Sequence, residues 1–216
     1  IADSEKIVKK VSREFFKERG INLTKKEETI IFALTWKEFV KKILETRGKK
    51  YKQSIKNTLK ERYVRTMRRE VQAIPGIYEV LDIVSKNFKV ALATNSRLRE
   101  VEIIFNKLGF HKYFQLKLAK DHIKNEKPSP EIYLKASELL KVKPEECVVF
   151  EDSVIGVRAA KAAGMKCIGI VNTYSRKELK EADMLIDGYH QISLEKIKKL
   201  GEKQEIGGEN GHRKKF

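Results

Sequence analysis

From Ser4 to about Arg69 the apolar residues fall at three- and four-residue steps: Ile7, Val8, Val11, Phe15 and Phe16, then Trp36, Phe39, Val40, Ile43 and Leu44. That spacing keeps one face of a helix apolar, so the segment predicts a succession of helices. Gly20 stops the first, a fresh start follows near Thr24, Gly48 closes the helix that carries Trp36, and Lys52 to Arg69 forms another. After Pro75-Gly76 the period changes. Short apolar runs, KVALA ending at Ala93, Phe114 to Ala119, CVVF ending at Phe150 and KCIGIV ending at Val171, have the length and β-branched content of buried strands. Helical patterns separate them, from Tyr78 to Lys86, from Leu98 to Leu108, after Ser129-Pro130, after Ser153 and through RKELKEA at 176–182. Strands alternating with helices predict an α/β core with a parallel sheet. A short edge strand at 184–186 and a helix at 193–200 complete it. The expected division is a helical domain over 4–73, a core over 1–3 and 74–200, and a flexible tail over 201–216, where Gly and charge replace periodicity.

Composition sharpens this picture in one respect. The formal net charge is +17 with 41% apolar residues, enough to build a folded α/β domain plus a smaller lobe. The charge is concentrated. Residues 1–73 hold 21 Lys+Arg against 10 Asp+Glu, and residues 41–69 hold twelve Lys+Arg against Glu45 and Glu61 alone. Such a surplus suits small phosphorylated metabolites, with nucleic acid as the weaker partner because aromatic residues are not interleaved at the spacing of a nucleic-acid module. Within that segment Arg47, Lys49, Lys50 and Lys52, near the Gly48 turn, are candidates to grip a substrate's charged end; Trp36 and Phe39 read as helical core. The start of the chain has no signal-peptide order and no stretch has the length of a membrane span, so the expected setting is the cytoplasm, without a membrane partner. Cys147 and Cys167 lack metal or redox spacing and read as core thiols.

Candidate chemistry gathers at strand ends. The apolar run ending at Phe150 stops at two adjacent carboxylates, Glu151 and Asp152, where an α/β sheet places its ligands. Two neighbouring acids in a low-dielectric crevice repel one another unless a cation such as Mg²⁺ lies between them; the alternative is a turn in which Asp152 or Ser153 caps the following helix. Thr94, Asn95 and Ser96 follow the KVALA run, and a hydroxyl with free amides before a helix can cradle phosphate, although an ordinary turn has the same composition. Lys127 stands in the rigid context KPSP. By charge alone it is one lysine among many.

Three of these stretches together carry a resemblance. FEDSVIGVRAAKAAGM, KVALATNS and the Lys127-Pro128 dipeptide resemble the fourth, second and third motifs of the haloacid dehalogenase superfamily, more narrowly of its β-phosphoglucomutase and phosphoglycolate phosphatase subfamily. The resemblance implies a Rossmann-like parallel sheet core with an inserted α-helical cap domain, and a Mg²⁺-dependent phosphohydrolase acting on a small phosphorylated metabolite through an aspartyl-phosphate. It assigns the phosphoryl oxygens to Thr94 with Asn95 and Ser96, the balancing charge to Lys127 and the metal to Glu151 and Asp152. The tripeptide DSE at 3–5 implies that the first motif, with its nucleophilic Asp, lies seven residues upstream of Asp3 and so before Ile1, and that the 216 residues alone are inactive. Asp3 itself reads as a helix cap. A sugar-phosphate mutase on the same scaffold, or a non-catalytic relative using its basic face on nucleic acid, are the alternatives.

Overall fold

The computed structural model describes residues 1–201, so the expected tail from residue 202 on, with His212, lies outside the described residues. The chain forms an α/β fold of parallel sheets flanked by helices, and it divides into two compact units. One comprises Ile1–Ser85 with Val90–His122; the other comprises Lys86–Lys89 with the described residues from Ile123 on.

In the first unit, α1 (Ser4–Lys17), α2 (Lys25–Ile30), α3 (Trp36–Glu45) and α4 (Gln53–Glu70) follow one another without an intervening strand. Their apolar stripes meet in one core in which Phe15, Phe16, Phe39, Val40, Leu59 and Met67 are fully buried. Each such side chain contributes roughly 1.5–3 kcal/mol on burial. Phe16 packs edge-on against both Phe15 and Phe39, and Trp36 lies against Tyr63 with ring centroids 5.3 Å apart. Local chemistry sets the helix starts. Thr24 and Thr35 each accept from the amide three residues on, and Glu27 and Glu38 return the bond to the cap amide. Asp3 occupies the cap position of α1, yet its carboxylate makes no capping bond and pairs with Lys6 at 2.6 Å. The first residues run antiparallel to the connection after α4: Ala2 bridges Ala73, and the Ile74 amide donates to the Ile1 carbonyl.

The same unit continues through α5 (Ile77–Asn87), which runs on past Ser85, then β1 (Ala91–Ala93), α6 (Leu98–Leu108) and β2 (Leu116–Leu118). β1 and β2 pair in parallel, Leu92 opposite Lys117. Gly109 ends α6 at φ 67°, a left-handed conformation that a side chain disfavours.

The second unit holds α7 (Glu131–Leu140), β3 (Val148–Glu151), α8 (Val154–Ala162), β4 (Lys166–Ile170), β5 (Met184–Ile186) and α9 (Leu194–Gly201). Its three strands pair in parallel in the order β3-β4-β5, with Phe150 opposite Ile168 and Gly169 opposite Leu185. The small residues of α8 permit close seating on the sheet: Ala159 and Ala160 are fully buried. The N-terminal signal of α7 shifts by one position, since Pro130 takes the cap place and Ser129 accepts from the Glu131 amide at 3.3 Å. The helix expected over RKELKEA does not form. That stretch is a run of turns, with Ser175 bonded to Glu178 and only Leu179 buried. One buried residue in seven gives no apolar face, and seven residues are too few to hold a helix by propensity alone. Among the described residues no helix is long and apolar enough to cross a membrane.

Candidate functional site

In the first unit, β1 delivers Thr94 to its carboxyl end, where the Thr94 amide donates to the Leu118 carbonyl at 3.0 Å and so extends the β1–β2 pairing by one residue. The turn that follows is built by its own side chain. The Thr94 hydroxyl accepts from the Ser96 amide at 3.1 Å, and the Ser96 carbonyl accepts from the Lys120 amide at 3.0 Å. Thr94, Asn95 and Ser96 are all half-buried. Asp121 closes the far side, its carboxylate accepting from the first α6 amide, Leu98, at 2.7 Å. That backbone bond holds the Asp121 carboxyl below its ordinary range. The structure thus makes of Thr94–Ser96 a defined strand-end turn ahead of a helix.

In the second unit, the end of β3 brings Lys127, Glu151 and Asp152 together, and adds Tyr133 and Ser153. Glu151 points inward and is 8% exposed. One of its oxygens accepts from Lys127 Nζ and from the Tyr133 hydroxyl, both at 2.5 Å, while Lys127 also donates to the Tyr133 hydroxyl at 2.9 Å. The other oxygen accepts from the Ser153 hydroxyl at 3.0 Å and from the Asp152 amide at 3.2 Å. Burial by itself would raise the Glu151 carboxyl; the Lys127 charge and the bonds from Lys127, Tyr133 and Ser153 outweigh it and hold the group below the usual carboxylate range. Burial first, then the negative charge of Glu151, drives the Tyr133 hydroxyl well above its ordinary value, so it remains a donor.

Asp152 is in the opposite condition. It is half-buried, and burial followed by the neighbouring Glu151 charge raises its carboxyl. A cation beside it would reverse that penalty. The two acids therefore divide the work that sequence reasoning gave them jointly. Glu151 has both oxygens occupied by donors and serves as the anchor of Lys127, whereas Asp152 is the carboxylate whose surroundings fit a hard cation. One protein carboxylate is compatible with Mg²⁺, which keeps several waters and draws further ligands from a phosphorylated substrate. Among the described residues no third His, Cys, Asp or Glu joins a cluster able to hold a metal by itself.

Ser153 starts α8 while supporting Glu151: its hydroxyl accepts from the Gly156 amide at 3.1 Å and donates to the carboxylate. Gly156 is required there, because a Cβ would lie 2.0 Å from the Glu151 carboxyl. Tyr133 escaped the sequence reading, since its six-residue distance from Lys127 across a turn and a helix start has no periodic signature.

The basic turn after α3 resolves residue by residue. Arg47 grips Glu27 through both guanidinium nitrogens, at 2.5 and 2.9 Å, and also donates to the Asn22 carbonyl, so it ties the start of α2 to the end of α3. Lys49 donates to the Arg19 carbonyl at 3.3 Å. Lys50 and Lys52 are exposed.

Comparison with known proteins places this geometry in context. Residues 1–170 match the family described as haloacid dehalogenase-like hydrolase. A phosphorylated carbohydrates phosphatase from Thermotoga maritima is 48% identical over 101 residues, 46% of this chain and 47% of that protein, so the match spans about half the length of that relative. Among solved structures, CbbY from Rhodobacter sphaeroides in complex with phosphate superposes with a TM-score of 0.75 at 29% identity, covering 88% of this chain and 91% of that one. β-Phosphoglucomutase from Clostridium difficile gives a TM-score of 0.73 at 27% identity, covering 93% and 92%.

Proposed function

The chain belongs to the haloacid dehalogenase-like hydrolase family, and from that premise we propose that it serves phosphoryl transfer on a small phosphorylated carbohydrate, as a phosphatase. The observation that carries this reading is the buried Lys127–Glu151 pair at the end of β3 with Asp152 beside it: a fixed positive charge and a candidate cation ligand meet at one strand end. Phosphoryl transfer asks a protein chiefly to position groups and neutralise charge, and these residues do both. Lys127, held by Glu151 and Tyr133, presents a localised ammonium toward a phosphoryl group. In the first unit, the family resemblance assigns phosphoryl oxygens to Thr94 and the Asn95 amide. Asp152 would hold Mg²⁺, which when bound draws charge from the phosphoryl oxygens. Lys50 and Lys52 favour substrates carrying a second negative charge; Arg47 and Lys49 have the structural uses described above.

The attacking carboxylate is the Asp of the family's first motif, which is not among the three motifs matched in these residues. The family's covalent step needs that Asp as nucleophile. The names of the similar proteins support a phosphorylated carbohydrate as substrate, one being a phosphatase of such compounds and one a β-phosphoglucomutase. The discriminating experiment incubates the protein, expressed from its complete reading frame, with Mg²⁺ and a panel of sugar phosphates. Release of inorganic phosphate is expected. Isomerised sugar phosphate without release would make the protein a mutase, and binding with neither outcome would overturn the enzymatic reading.

A further inference from the structure

Part of the positive surplus of the helical segment lines a groove. Along the seam where α1 packs against α4, two adjoining cavities of about 530 and 340 Å³ open, both lined by Lys10, Arg69 and Glu70. The smaller adds Arg62 and Arg65 from α4 and Glu14 from α1; the larger adds Lys6 and Lys107. Part of this charge is neutralised locally: Lys10 pairs with Glu70 at 2.7 Å, Arg62 with Glu18 at 2.6 Å and Lys6 with Asp3 at 2.6 Å. Arg65, Arg68 and Arg69 differ. Arg65 and Arg69 line the smaller cavity one helical turn apart, and Arg68 lies beside Arg69 at its edge, lining neither cavity. All three are on the exposed face of α4, opposite its buried residues Leu59, Tyr63 and Met67, and among the described residues no acid stands within ion-pair distance of them. Lys107 closes the end of the groove by donating to the Arg68 and Arg69 carbonyls, which satisfies the negative end of α4 and leaves the wall positive.

We propose that this groove binds the phosphodiester backbone of nucleic acid without regard to sequence. The charge is complementary. From Arg62 to Arg69 the helix rises roughly 10 Å at 1.5 Å per residue, a length that spans about three phosphates of one strand when measured along the duplex axis at 3.4 Å each. None of the large hydrophobic side chains exposed among the described residues lies on α1 or α4, so the groove offers neither a stacking platform for unpaired bases nor an apolar face to insert into a bilayer. Backbone contact alone remains.

The test is fluorescence anisotropy of the full chain with a labelled 16-base-pair duplex of mixed sequence, titrated at several salt concentrations. Three contacted phosphates predict a slope of log K against log salt of about −2.7. The triple variant Arg65→Gln, Arg68→Gln, Arg69→Gln should bind at least tenfold more weakly with a slope close to zero. A control that removes equal charge elsewhere, Lys177→Gln, Lys180→Gln, Lys198→Gln, should bind as the parent does. Equal losses in both variants would show a general field effect and overturn the groove. Absence of duplex binding at 50 mM salt would overturn it too, as would tighter binding to phosphatidylserine vesicles than to the duplex.

Discussion

Arg47 and Glu27 show how a residue's neighbours decide its use. The pair is forked, both side chains are about one-quarter exposed, and the Glu27 carboxyl is pulled down to about 2, first by the Arg47 hydrogen bonds and then, against the cost of burial, by the Thr24 amide and hydroxyl. Because the folded value lies below the unfolded one of about 4.3, the stabilisation is complete above the ordinary carboxyl range and is lost as the pH falls through about 2. Replacing Glu27 by Gln keeps one oxygen able to close the capping box on Thr24 and removes the charge together with one of the two acceptors that face Arg47. The variant should lose about 1–2 kcal/mol of unfolding free energy at pH 7, and urea denaturation should show the gap to the parent closing between pH 4.5 and 2. A gap that persists at pH 2 would mean that the charge is not the source.

At the scale of elements, β3 and α8 form one device. The strand ends by turning Glu151 inward, Ser153 starts the helix and bonds the carboxylate, and Gly156 leaves room for it. Gly156→Ala should therefore cost about 2 kcal/mol or more through overpacking, although alanine is favoured over glycine in a helix interior by about 1 kcal/mol. A urea midpoint that rises in this variant would show that α8 is free to shift and that the carboxylate is not confined.

Much of this device was legible in the sequence. An apolar run stopping at two acids, a capping serine and a train of small residues specify strand, turn and tightly seated helix by local rules. The division of labour between the acids was not, because it depends on Lys127 and Tyr133, which approach from a different part of the chain. Likewise, a basic turn reads as a basic turn whether its arginine faces solvent or a glutamate twenty residues back. The turns at 176–182 were misread as a helix because helix-forming residues were present while the buried face that stabilises a helix was not.

For the whole molecule, a helical segment with concentrated positive charge accompanies an α/β fold of the haloacid dehalogenase-like hydrolase family, and the function proposed for the ends of β1 and β3 is phosphoryl transfer. The central claim is that Lys127 and Asp152 carry that chemistry, one as fixed charge and the other as cation ligand. The most direct measurement is Mg²⁺-dependent phosphate release from a sugar monophosphate by the protein expressed from its complete reading frame, compared with its Lys127→Met and Asp152→Asn variants after each is shown to be folded. Losing one preorganised charge in such a site typically costs about 10²–10³ in rate; both variants are expected to fall at least that far, and Asp152→Asn to lose its response to Mg²⁺. Release that persists within tenfold of the parent in either variant, or a Mg²⁺ dependence unchanged in Asp152→Asn, would contradict the account.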